Sequence, residues 1–92
     1  MNTQNMNITE QIADSLDLPK DVVLGFPFIS MCGNRELYID NHMGILSYES
    51  GQIVVRTKHD PIRIQGKNLL IVYYTKDSIR LTGQITDICF LL

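Results

Sequence analysis

Ninety-two residues make one small domain, and eight Lys/Arg against ten Asp/Glu leave a net charge of −2 at pH 7. That balance argues against a protein built to grip nucleic acid, whose affinity rests on neutralising phosphates. Trp is absent, so the core must be aliphatic with a few Phe and Tyr, and a chain of this length holds little stability in reserve.

Met1–Asn7 is polar and uncharged, without the apolar stretch of a signal peptide. Asn7 and Glu10 have capping-box spacing, and Ile8, Ile12, Ala13 and Leu16 then fall on one helical stripe. The spacing predicts a frayed start and a short amphipathic helix over residues 1–17, closed by Pro19, which disfavours helix at Leu18. Residues 18–92 read as one β domain. Phe28–Cys32 is the first strand, Gly33-Asn34 a two-residue hairpin loop, and Leu37 and Ile39 alternate with Tyr38 and Asp40 on the second strand. Asn41-His42-Met43-Gly44 turns the chain into Ile45–Tyr48. Glu49-Ser50-Gly51 then leads into Gln52–Thr57.

Beyond the Lys58–Pro61 break, Ile62 and Ile64 alternate with Arg63 and Gln65. Gly66-Lys67-Asn68 reads as a turn into Leu69–Tyr74. That run is apolar at every position, so it is buried on both sides or faces a partner on one. It is also far too short to span a bilayer. Thr75-Lys76-Asp77 turns into Ile79–Thr82, and Gly83 leads into Ile85–Leu91. About eight short strands with turns roughly every 8–10 residues give the rhythm of a small antiparallel two-layer β-sandwich.

The β region also repeats against itself. Ile62-Arg63-Ile64-Gln65-Gly66 overlies Ile79-Arg80-Leu81-Thr82-Gly83 at an offset of 17 residues, and Val54-Val55, Ile71-Val72 and Ile88-Cys89 follow the same step. A β-solenoid-like stack with this period is the alternative to successive hairpins. The turn pieces favour hairpins. Asn41, His42, Gly44, Gly51, Gly66 and Gly83 are read as turn and register residues.

Chemistry is thin. His42 and His59, with Asp40 and Asp60 beside them, could be drawn as a metal site, but all four fit ordinary turn positions. No nucleophile elbow surrounds any serine, and no phosphate loop or dinucleotide fingerprint is present. The reading is therefore not an enzyme, with no catalytic residues, metal or cofactor. Cys32 and Cys89 sit far apart in apolar runs and read as buried free thiols of a reducing compartment. Arg56, Lys58, Arg63 and Lys67 near Tyr73 and Tyr74 suggest, as the second functional reading, a single-strand nucleic-acid-binding β module. The first reading is protein–protein contact through exposed apolar strands, with Leu70, Val72, Tyr74 and Leu91 as candidate contacts. Self-association is a further option, and the expected location is cytoplasmic.

Leu18-Pro19-Lys20-Asp21-Val22-Val23, then Pro27-x-Ile29, Gly33 and Ile39-x-Asn41-His42-x-Gly44-Ile45-x-x-Tyr48 resemble the YabP/YqfC sporulation protein family, closer to its YqfC branch. Ile62-x-Ile64-x-Gly66-Lys67-x-Leu69 and Ile79-x-Leu81-x-Gly83-x-Ile85 are similar to its repeated strand pattern. The likeness runs from about Asn7 onward. It implies a small β protein of endospore-forming Firmicutes, made in the mother cell, accompanying a membrane protein encoded alongside it and linked to spore coat or cortex assembly. On that resemblance the expected function is a non-enzymatic assembly or adaptor factor with a sporulation membrane protein as partner, peripheral at the outer forespore membrane. The resemblance carries no catalytic residues.

Overall fold

The computed structural model describes residues 25–92. The helix expected before residue 18 and the connector after it lie outside them. Six strands follow in order: β1 (Phe28–Cys32), β2 (Glu36–Asp40), β3 (Ile45–Tyr48), β4 (Gln52–Val55), β5 (Ile62–Tyr74) and β6 (Ser78–Phe90). They form one six-stranded sheet in the order β1-β2-β6-β5-β4-β3, with every neighbouring pair antiparallel. The all-β antiparallel class read from the sequence is the class observed, and the pairing excludes a stacked solenoid.

Six strands replace the expected eight because two of the expected turns are bends. Gly66-Lys67-Asn68 and Gly83 lie inside β5 and β6, each 13 residues long. Register shifts beside Gly66 and between Lys67 and Leu70 kink the β5–β6 ladder without breaking it, as bulges do. The halves of the two long strands then take different neighbours. β2 pairs with Ser78–Thr82 of β6, and β4 with Ile62–Gln65 of β5.

The core lies inside that bend. Leu37, Ile39, Ile79 and Leu81 from one half share a single buried cluster with Ile53, Val55, Ile62 and Ile64 from the other. Two layers therefore exist, but as the halves of one continuous sheet rather than as two separate sheets. The alternation of apolar and polar residues predicted for Leu37/Ile39 and Ile62/Ile64 is what places these side chains inward.

The period of 17 residues relates the two halves. Gly66 and Gly83 sit at corresponding bends, stacked so closely that a Cβ on Gly66 would lie 2.1 Å from the Gln84 carbonyl oxygen. A Cβ on Gly83 would lie 2.9 Å from the Asn68 oxygen, at a φ of +145° that side chains rarely adopt. Each short hairpin docks its tip on one bend. Gly83 and Ile85 donate their N–H groups to the Arg35 and Asn34 carbonyls, as Gly66 and Leu69 donate to Gly51 and Ser50.

Two details depart from the expected turns. The β1–β2 loop is three residues, Gly33-Asn34-Arg35, because Cys32 pairs with Glu36. Both cysteines are free, but Cys32 is exposed and Cys89 only partly buried. Cys32 ends an outermost strand on its outward face, where no layer covers it.

Candidate interaction surface

The second half of β5 does not lie buried on both sides. Leu69 is buried, and Ile71, opposite Leu81, packs against the core. Leu70, Val72, Tyr73 and Tyr74 are exposed, between 42% and 56% of their area. The register explains the split. Leu70 stands opposite Thr82 and Tyr73 opposite Arg80, both on the outer face, and a register shift between Ile71 and Tyr73 leaves Val72 without a cross-strand partner.

Polar partners flank this apolar strip. Ser30, Tyr38, Arg80 and Tyr73 form one row across four strands. The Arg80 guanidinium lies 5.6 Å from the Tyr38 ring centroid and pairs with the Glu36 carboxylate. That hydrogen bond holds the Glu36 carboxyl below the usual carboxylate range and raises Arg80 above its ordinary value.

Tyr74 turns the strip into a corner. Its ring lies 5.0 Å from that of His42, which is buried in the Asn41–Gly44 connection. His42 Nδ1 accepts the Gly44 N–H at 2.9 Å, so Nε2 carries the proton and donates to the Thr75 carbonyl at 2.8 Å. Asn41, at φ 63°, donates its N–H to Asp77, and Met43 donates to Arg56. The connection between the layers is thereby pinned to the β5–β6 turn and to the end of β4. A half-open cleft of about 490 Å³ lies here, with Tyr74, Met43, Lys58, Lys76 and Asp77 among its walls.

Both His42 nitrogens are spent on backbone groups, so it has no lone pair for a metal. His59 stacks on Phe26 with ring centroids 4.0 Å apart. Among the described residues, no three His, Cys, Asp or Glu side chains could share a metal ion. Of the basic and aromatic residues of the second functional reading, Lys58 and Tyr74 line the same cleft as His42, while Arg63 is separated from both tyrosines. Arg56 and Arg63 lie at the β4–β5 side of one half, and Tyr73 and Tyr74 on the other half of β5.

Leu70, Val72 and Tyr74 thus share one strand segment, whereas Leu91 stands apart. It follows β6 at the end of the other half, partly buried, with its N–H on the Pro61 carbonyl. Gly44 has φ +118°, and Gly51 sits in the β3–β4 turn under the Gly66 N–H. Sequence reasoning missed Tyr48, whose hydroxyl accepts the Ile71 N–H at 3.0 Å and ties β3 to the outer edge of β5. It also missed Leu46, and in the last strand it singled out Leu91 rather than the neighbouring Phe90; Leu46 and Phe90 are both about half exposed. Tyr48 lies on the half-exposed side of β3, and nothing in the local pattern of so short a strand signals a hydroxyl that reaches another strand.

Residues 27–91 match the model of the YabP family. Over 71 residues the chain is 34% identical to "Uncharacterized protein YqfC" of Bacillus subtilis (strain 168), covering 77% of this chain and 76% of that protein.

Proposed function

The chain belongs to the YabP family, and from that premise we propose that it is a non-enzymatic assembly or adaptor factor of sporulation, working in spore coat or cortex formation. It holds a sporulation membrane protein at the outer forespore membrane, on the mother-cell side, by covering an apolar strip. The relation to sporulation comes from the family. The observation that supports an adaptor is the exposed run Leu70, Val72, Tyr73 and Tyr74 on a strand whose other face is packed. Contiguous exposed apolar side chains of this kind mark interaction surfaces. No helix among the described residues is long and apolar enough to cross a membrane, so attachment through a partner fits the reading.

The test is affinity purification of the tagged chain from sporulating cells. The co-encoded membrane protein should be recovered with it, and Leu70→Asp combined with Val72→Lys should lose that recovery while the melting temperature holds. Recovery unaffected by the double substitution would move the contact elsewhere. Steeply salt-dependent retention of single-stranded oligonucleotides by the purified protein would instead favour the nucleic-acid reading.

A further inference from the structure

β1 is an outermost strand of the sheet. The Cys32 carbonyl accepts the Arg35 N–H across the turn, which directs Cys32, and by alternation Ser30 and Phe28, toward β2. β2 has the matching phase, since Arg35 and Asn41 on its other side bond to Gly83 and Asp77. Ile29 and Met31 therefore aim their N–H and C=O groups away from β2. Among the described residues no strand pairs with them there.

The other outermost strand is protected. β3 carries a register shift between Ile45 and Ser47, and the Tyr48 hydroxyl fastens it to β5. At the corresponding place 17 residues earlier stands Met31, which has no hydroxyl to make such a tie. β1 keeps regular register with β2 over all five residues and contains no charge, proline or bulge. These are the devices with which proteins blunt an edge strand.

We propose that β1 pairs antiparallel with β1 of a second copy of this chain, about a two-fold axis through Ser30, joining two six-stranded sheets into one. The strand Phe28-Ile29-Ser30-Met31-Cys32 is complementary to itself in that register. Ile29 faces Met31 of the second copy, and each such pair exchanges both backbone hydrogen bonds. Phe28 faces the small Cys32 on the outer side. Ser30 meets its own copy on the axis, where identical side chains must fit side by side. An uncharged strand repels its own copy nowhere, whereas a charged foreign strand would find no counter-charge on it. The contact is one short strand pair, so the dimer is weak, with a dissociation constant of about micromolar or above. This inference is independent of the adaptor reading.

Sedimentation velocity of the full chain over about two decades of concentration tests it. A reversible monomer–dimer equilibrium is expected. Met31→Pro removes only an N–H that faces away from β2, so it keeps the fold and raises the dissociation constant about tenfold or more. In a Cys32→Ser, Cys89→Ser background, Ser30→Cys should oxidise to a disulfide dimer, because a pair on the axis that exchanges no backbone hydrogen bonds brings Cα atoms to about 4.5 Å. Leu46→Cys in that background, on the protected edge, should not. A chain monomeric at every concentration, its edge filled by its own N-terminal residues or left bare, overturns the proposal. So does a dimer indifferent to Met31→Pro, or cross-linking equal at Ser30 and Leu46.

Discussion

His42 shows how much one side chain can carry without any chemistry of its own. It links the Gly44 N–H to the Thr75 carbonyl and fills the space beneath Tyr74. His42→Ala would leave both backbone groups unpaired, and should cost about 2–4 kcal/mol, read from the urea midpoint at constant slope. Asn41 occupies the left-handed region, which a β-branched residue adopts only with strain. Asn41→Val should therefore destabilise by about 1–2 kcal/mol while Asn41→Gly stays near neutral. Glu36 contributes in a pH-dependent way. The Arg80 hydrogen bond lowers its folded pKa, so its stabilising effect is present above the ordinary carboxylate range and is lost as pH falls through the lowered value. Glu36→Gln should flatten that acid limb in urea titrations between neutral pH and about pH 3, because the substituted amide no longer titrates.

At the scale of the element, the decisive positions are the bends of β5 and β6. A side chain on Gly66 would collide with rigid backbone rather than with a flexible group, and Gly83 adds an unfavourable φ. Either Gly66→Ala or Gly83→Ala should cost about 3 kcal/mol or more, or abolish cooperative folding. Gly51, whose Cβ would meet its nearest neighbour at 3.7 Å, should accept Ala within about 1 kcal/mol. Circular dichroism melts of the three variants separate a bend that needs glycine from a turn that merely contains it. The flanking turns use another device. Thr57 and Thr75 each accept backbone N–H groups through their hydroxyls, from His59 in one turn and from Asp77 and Ser78 in the other. The Thr-Lys pair that opens both turns is a visible but weak sequence signal for this hydroxyl capping.

For the whole molecule, two of the apolar features that the bent sheet leaves uncovered among the described residues invite partners: the outer strip of β5 and the edge of β1. They lie on different strands and invite different partners, so they should be separable. Leu70→Asp with Val72→Lys should leave self-association unchanged, and Met31→Pro should leave recovery of the membrane protein unchanged, with each readout serving as the other's control. The sequence by itself determined the β class, the inward faces of β2 and the first half of β5, the bent or turned character of Gly66 and Gly83, and the family, because alternation and glycine placement are local properties of the chain. It also singled out Leu69–Tyr74 as a run with nothing polar in it. Only the tertiary structure decided that Gly66 and Gly83 bend long strands instead of ending short ones, since that depends on β5 and β6 pairing across the bend. It likewise decided that His42 is a buried clasp and that Leu91 stands apart from Leu70, Val72 and Tyr74. Which apolar residues remain exposed depends on what packs over them, and a pattern of period two names a face without naming its cover.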